Sequence, residues 1–511
     1  CRRTHHQRRG QRGGDEHPER ETTVDDDALT LMSGRLMLQA AQGAAEAADN
    51  GGIDLPNPLD GLTNRVLRSE AQAPALATFP VGSTTVTAAE VASGLGVVWE
   101  LAWGPDNFIW MTERRGRISR LNPATGQVLP LLTLPDVTPT GESGLLGMAL
   151  HPQFATTAPY IYLVYNYTSA GVLKEKLVRY TYLPASGTLG NPLVLLGNIT
   201  ATTTHSGSRL LILPDLTMLM STGDAQIRPD AQNPASLNGK ILRLNLDGSV
   251  PADNPTPGSL VYTLGHRNPQ GLTLGRGGNI YSSEHGDFTE DEINLIEPGR
   301  NYGWPTVEGY CNLPAELAFC AQNNVREPLT TWTPTIAPSG LTYYDHPAIP
   351  EWRGSLLLAV LKDQVLVQMP LNATNTGIAS LGYFVRGTFG RLRALCVSPQ
   401  GKVYVGTSNS TGSTLADRVL VLENRSFVTA TAPAAGPAIR LWPNPAQRQV
   451  TVSLPVGNAQ LTIRDALGRR VLHQQTTAAT TTLELAGLRP GYYGVQAEHA
   501  AGSSVQRLVV E

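Results

Sequence analysis

A chain of 511 residues, 41% hydrophobic but only 6% aromatic, is longer than one core ordinarily serves, so two or more folding units are expected. Lysine plus arginine (39) nearly balances aspartate plus glutamate (42), which excludes the electrostatic footprint of a nucleic-acid binder and leaves a small, near-neutral partner as the default. No run of 18 apolar residues occurs, so no transmembrane segment is predicted.

The chain opens CRRTHHQRRG, in which no secretory signal is visible, and export is not read from this end. Cys1, followed by arginines and histidines, does not resemble a lipidated residue. An acidic patch and Ala- and Gln-rich sequence follow; residues 1–80 are expected to be mostly disordered, with a short helix near Leu29 to Ala48. The basic run reads as a solvated tail.

From about residue 85 to 425 a unit returns every 45 to 70 residues: a short apolar strand, a Pro or Gly turn, then a strand ending in small polar residues. The copies are WELAWGPDNFIWMTERRGRI, LLGMALHPQFATTAPYIYLVY, SRLLILPDLTMLMSTGD, PQGLTLGRGGNIYSSEHG, SGLTYYDHPAIPEWRGSLLLAVL and RLRALCVSPQGKVYVGTSN. Together with 51 glycines and 37 prolines, six such copies predict an all-β chain whose residues 81–426 form a six-bladed β-propeller, the architecture that hides sheet edges and leaves a central channel. Residues 427–438, FVTATAPAAGPA, read as a linker. Strands near Val450 to Leu454, Gln460 to Arg464, Thr481 to Leu485 and Tyr493 to Glu498 predict a small Ig-like β-sandwich over 439–511.

Polar residues gather in YTLGHRNPQGLTLGRGGNIYSSEHGDFTEDEINLIEPGRNYGW, from Tyr262 to Trp304. Arg267 and Asn268 precede one predicted strand; His285, Gly286, Asp287, Asp291 and Glu292 follow the next, and such strand-end loops are where chemistry is usually placed. An acidic loop of this kind is by itself more often a solvated turn than a metal site. Gly286 beside Asp287, with Asp291, Glu292 and Tyr302, nevertheless offers the carboxylates and bare carbonyls that calcium takes. Cys311 and Cys320, nine positions apart, are spaced for a local disulfide and hence an oxidising compartment, while Cys396 in an apolar run reads as a buried free thiol.

GHRNPQG, SEHGDFTEDEINLI and GRNYGW, in this order, resemble the soluble quinoprotein sugar dehydrogenases, the glucose and sorbosone dehydrogenase family that uses pyrroloquinoline quinone (PQQ). The resemblance spans roughly residues 90 to 425 and also implies a six-bladed propeller. It fits the chemistry: oxidising an aldose at its anomeric carbon removes a proton and a hydride, no side chain accepts a hydride, and no GxGxxG opens a helix here to hold a nicotinamide. A loop histidine such as His205 is on its own more often structural than catalytic. His205, Ser206 and Gly207 match the family's His-x-Gly motif, which makes His205 the general base, with Asp224 of STGD to orient it and Arg267 to polarise the quinone.

The resemblance further implies that Asn268 hydrogen-bonds a quinone oxygen, that Lys362, Arg391 and Arg393 hold the quinone carboxylates, that Glu142 faces the sugar and that Trp332 stacks on quinone or substrate. The carbonyls of Gly286 and Asp287 correspond to ligands of a Ca²⁺ that holds the quinone, Asp287 standing where the glucose enzymes have Pro; Glu292 and Tyr302 align with a second, structural calcium site. The alternation Arg391, Leu392, Arg393 would put both guanidinium groups on one face of a strand. LWPNPA from Leu441, DALGRRV from Asp465 and LRPGYYGV from Leu488 resemble the C-terminal sorting domain of the Bacteroidetes type IX secretion system, which implies secretion machinery as a partner and a secreted, cell-surface or periplasmic protein. The expected function is PQQ- and calcium-dependent oxidation of an aldose to its lactone, with an electron acceptor the sequence does not identify. A calcium-dependent propeller lactonase and a non-catalytic carbohydrate-binding propeller are the alternatives.

Overall fold

The computed structural model describes residues 73–427, 439–454, 458–465, 470–499 and 502–511. The expected helix near Leu29 to Ala48, Cys1 and most of the 427–438 linker lie outside the described residues. Strand dominates; the one α-helix among the described residues is Pro314–Gln322.

Six antiparallel sheets follow one another along the chain. The first is Val98–Trp103, Ile109–Glu113, Arg117–Leu121 and Val128–Thr133; the second Leu145–Leu150, Tyr160–Ser169, Val172–Leu183 and Thr188–Thr200. The third is Gly207–Ile212, Thr217–Thr222, Lys240–Asn245 and Val261–Leu264; the fourth Pro269–Leu274, Ile280–Glu284, Asp291–Ile296 and Thr330–Trp332. The fifth is Pro338–Tyr344, Ser355–Val360, Leu366–Pro370 and Gly382–Phe384. The sixth joins Leu392–Val397, Val403–Thr407 and Asp417–Glu423 to Thr84–Leu95 and Ala75–Val81 from the other end of the propeller segment. Each sequence repeat supplies the first two strands of one sheet. Ala75–Val81 starts inside the stretch expected to be disordered: ALATFPV reads poorly as a lone strand, and becomes one by pairing with Thr84–Leu95.

Alternation along each strand sends successive side chains to opposite faces, and the faces of neighbouring sheets share apolar clusters. Trp110 and Ile118 pack with Met148 and Ile161 between the first and second sheets. Tyr162 packs with Leu210 and Met220, and Leu219 with Leu272 and Ile296. Ile293 meets Leu356 and Leu358, while Leu357 and Leu366 meet Leu392 and Val405. The last cluster sets Ala394 and Tyr404 against Leu101 and Met111, the strand neighbours of Trp110, so the sixth sheet packs on the first and the ring closes.

After residue 438, Arg440–Trp442, Gln449–Ser453 and Thr480–Glu484 form one sheet and Ala459–Arg464, Arg470–Thr476, Gly491–His499 and Gly502–Val510 another. Val450, Leu461, Leu483, Val495 and Leu508 lie in one apolar cluster drawn from both sheets.

Candidate active site

Antiparallel pairing sets the start of each sheet's first strand beside the end of its second: Gly207 faces Thr222, Pro269 faces Glu284, Pro338 faces Val360 and Leu392 faces Thr407. His205, Arg267, Asn268, Arg391 and Glu142 precede first strands; Asp224, His285, Gly286 and Lys362 follow second strands. Topology thus carries the predicted polar residues to one rim of the ring.

His205 has a φ of 56°, a left-handed backbone uncommon outside glycine and of the kind that accumulates at functional sites. Its Nδ1 is 2.8 Å from Oδ1 of Asp224, whose side chain is 1% exposed. That oxygen also accepts the Gln226 N–H, and Oδ2 accepts the Trp304 indole N–H at 2.8 Å. Burial alone would raise the Asp224 carboxyl, but these donors, His205 foremost, hold it below its ordinary value and ionised. A Cβ at Gly223 would stand 1.9 Å from the His205 carbonyl oxygen, so only glycine lets the strand end approach the histidine loop. The His205 N–H donates to Glu142 at 3.3 Å, bringing that carboxylate to the pair.

The HRN sequence has a brace behind it. The backbone N–H groups of Arg267 and Asn268 donate to one oxygen of Glu284; the other lies 2.9 Å from Nδ1 of fully buried His266, whose ring stacks on Tyr302 at 4.6 Å. Arg267 is thereby held over Trp304, 5.3 Å from its ring, with Arg228 also over that ring at 4.9 Å. The Asp287 carboxylate bridges the two guanidinium groups. Nε of Arg267 and Nδ2 of Asn268 are buried with no partner among the described residues, while Asn268 Oδ1 is engaged by Gly207 N and Gln270 Nε2. Buried donors of that kind call for an explanation, and a missing acceptor is the simplest.

Arg393 is buried, and its bonds run to neutral oxygens, Gln270 Oε1 at 3.2 Å and Ser408 Oγ at 3.3 Å. Burial, only partly opposed by Glu142 and reinforced by Arg209, Arg391 and Arg114, pushes the guanidinium down to about 9. A cation so placed favours an anionic ligand. Arg391 is exposed and sits just before the strand rather than on its face, and a bulge follows at Arg393, so the expected simple alternation is broken. Lys362 Nζ donates to Thr335 Oγ1 at 3.0 Å.

In the acidic loop, a Cβ at Gly286 would meet Thr289 O at 1.9 Å, so the tight turn requires glycine. Asp291, expected among the metal ligands, has both oxygens committed: Oδ1 accepts Gly286 N at 2.8 Å and Oδ2 accepts Ile336 N and Ala337 N. Those three N–H groups make it a brace for the loop. The Tyr302 hydroxyl is likewise committed, donating to Leu295 O at 2.6 Å and accepting Glu297 N. Glu292, Glu284, Glu290 and Glu308 line a cavity of about 20 Å³ against Arg267 and Trp304. Burial, then Glu284, pushes the Glu292 carboxyl up to about 8. Among the described residues no set of three His, Cys, Asp or Glu is placed to hold a metal ion. Trp332, paired across the fourth sheet with Asp291, is 8% exposed in the apolar cluster between the fourth and fifth sheets with its N–H 3.3 Å from the Tyr383 hydroxyl. Cys311 and Cys320 are disulfide-bonded and Cys396 is free and buried.

Residues 95–417 match the Glucose / Sorbosone dehydrogenase family. The chain belongs to that family. It is 33% identical over 415 residues to quinoprotein glucose dehydrogenase B of Acinetobacter calcoaceticus, a match covering 64% of this chain and 86% of that protein. The PQQ-bound form of the aldose sugar dehydrogenase from Streptomyces coelicolor superposes with a TM-score of 0.59 at 33% identity, covering 68% of this chain and 99% of that one. The apo-form of the soluble aldose sugar dehydrogenase from Escherichia coli does so with 0.60 at 27%, covering 66% and 100%. Residues 440–511 match the secretion system C-terminal sorting domain, an address for a secreted or cell-surface protein. Among the described residues no helix is long and apolar enough to cross a membrane.

The residues fit the quinone that this PQQ-dependent family uses: Asn268 Nδ2 and Arg267 Nε are donors in want of acceptors, and buried Arg393 is a cation in want of an anion. The loop of Gly286 and Asp287 can present main-chain oxygens to a hard cation, whereas the Asp287 carboxylate is taken by two arginines. Four contributors escaped sequence reasoning. Trp304 ends a motif noticed only as a whole; Arg228 lies in DAQIRPDAQNP, which carries no pattern of its own; Glu284 and His266 look like ordinary flanking residues until they are seen to pair.

Proposed function

We propose that the chain is a secreted, PQQ- and calcium-dependent aldose dehydrogenase, oxidising the sugar at its anomeric carbon to a lactone. The six sheets between Ala75 and Glu423 are its six blades, and residues 439–511 an Ig-like domain addressed to type IX secretion machinery. The observation that carries this reading is the convergence on one rim of the His205–Asp224 pair, the unpartnered donors Arg267 Nε and Asn268 Nδ2, and buried Arg393 with no carboxylate bound to it.

When bound, the quinone supplies the hydride acceptor and Ca²⁺ a Lewis acid beside it. The chain supplies the rest. Asp224 engages Nδ1 of His205, leaving Nε2 to take the proton of the anomeric hydroxyl, and its carboxylate stabilises the imidazolium that forms. Arg267 faces the negative charge that develops opposite. Arg393, Arg391 and Lys362 bind the cofactor's carboxylates, Asn268 Nδ2 donates to a ring oxygen, and Glu142 orients the sugar. The carbonyls of Gly286 and Asp287 hold the cofactor's cation, and the cavity beside Glu292 and Tyr302 a second one.

Dye-linked oxidation of a panel of aldoses, with PQQ and Ca²⁺ added together and then each omitted, tests the proposal. Activity should require both, and His205→Ala should lose at least about 10²-fold in rate while still binding quinone. Hydrolysis of lactones without quinone, or sugar binding with no dye reduction by the loaded protein, would hand the function to a lactonase or a binding propeller.

A further inference from the structure

Asp224 and Arg267 belong to different sheets, yet each must be placed accurately for the proposed reaction. One side chain touches both. Trp304 is 4% exposed, and its indole N–H donates to Oδ2 of Asp224 at 2.8 Å, the oxygen that does not face His205. The ring carries the guanidinium of Arg267 at 5.3 Å on its face. Its own backbone is fixed from two sides: Trp304 N donates to Gly265 O at 3.0 Å, and Gln232 Nε2 donates to Trp304 O at 2.7 Å.

A carboxylate held only by His205 and Gln226 N would be bonded through one oxygen and free to turn about its Cβ–Cγ bond. The indole bond fixes the second oxygen and so sets the plane in which the imidazole is held. We infer that Trp304 is the positioning residue of this site, aligning His205 through Asp224 by its N–H and Arg267 by its ring face. The inference rests on the reading of His205 as the base and Arg267 as a cofactor-facing cation.

The two halves separate by substitution. Trp304→Phe keeps a ring under Arg267 but deletes the N–H: kcat should fall at least about tenfold, the worth of a hydrogen bond to a charged group, with KM for the sugar and quinone affinity unchanged. Trp304→Leu removes both and should weaken quinone binding as well. The kcat loss should vanish in an Asp224→Asn background, because the N–H acts only through that carboxylate. A loss of equal size in both backgrounds, or a Trp304→Phe enzyme with unchanged kcat, overturns the inference.

A second measurement needs neither turnover nor a Trp304 variant. In the quinone-free protein, the Trp304 indole N–H proton resonance should move on Asp224→Asn, and the ring-proton resonances of His205 should move with it. An indole resonance indifferent to Asp224→Asn also overturns the inference. Should the loaded protein oxidise no sugar while these resonances respond, the coupling stands and the dehydrogenase reading falls.

Discussion

Glu175 shows what a single buried acid does to the molecule's pH response. It lies inside the second sheet, with Asn166 Nδ2 donating to its Oε2 and its Oε1 buried without a partner among the described residues, and burial pushes its carboxyl from the ordinary 4.5 up to about 8. A carboxyl raised on folding contributes stability that is complete below about 4.5 and is lost as pH rises through about 8. Glu175→Gln keeps the shape and cannot ionise. Its melting temperature should therefore decline less between pH 5 and pH 8.5 than the parent's, by thermal denaturation at matched ionic strength; parallel profiles would show that folding does not raise the Glu175 carboxyl. The same residue scale explains why some site residues were legible and others not. His205 and Arg267 sit in motifs with chemistry of their own, whereas the loop-bracing part of Asp291 was hidden, because a sequence shows a carboxylate but not the three backbone N–H groups that donate to it.

At the scale of the element, the site depends on strand ends that approach more closely than side chains permit. Gly223 closes the second strand of the third sheet against the His205 loop, where an added Cβ would meet His205 O at 1.9 Å and His205 C at 2.4 Å. Both are backbone atoms, so relief has to come from the loop itself. Gly223→Ala should cost roughly 1–3 kcal/mol of stability, as overpacking does, and reduce kcat more than quinone affinity, because His205 moves while Arg393 does not. Differential scanning calorimetry with quinone titration checks both; an alanine variant of normal rate would mean the loop yields freely. The repeat pattern located these hairpins in the sequence, since a strand, turn and strand carry their period and turn residues locally. The third and fourth strands were less visible: Val261–Leu264 and Thr330–Trp332 are short, far from their hairpins in sequence, and defined by pairing alone.

For the whole molecule, closure of the ring is the decisive contact. Asp417–Glu423 pairs with Thr84–Leu95, so the last sheet is completed by strands from before the first. Deletion of residues 73–95 should abolish cooperative unfolding and activity. Deletion of everything after 427 should leave the propeller's melting temperature and turnover unchanged, because the apolar cluster of the C-terminal sheets runs from Ile439 to Val510 and contains no propeller residue. Calorimetry of the two truncations decides this; a stable protein lacking 73–95 would show that the ring does not need its closing strands.

The sequence by itself determined what local patterning can encode: an all-β chain, six strand–turn–strand repeats, a separate C-terminal β unit, and motifs that place His205, Asp224 and Arg267 at strand ends. Those features depend on residues near one another along the chain, where period, turn chemistry and motif spacing are read directly. Only the tertiary structure decided which charges are spent on each other and which remain. Asp287 pairs with Arg228 and Arg267, Asp291 with backbone N–H groups, and Trp332 lies in an apolar cluster, while Arg393 meets only neutral oxygens and Asn268 Nδ2 has no acceptor among the described residues. The physical reason is that pairing and burial are set by partners far away in the sequence, Trp304 and Asp224 being 80 residues apart.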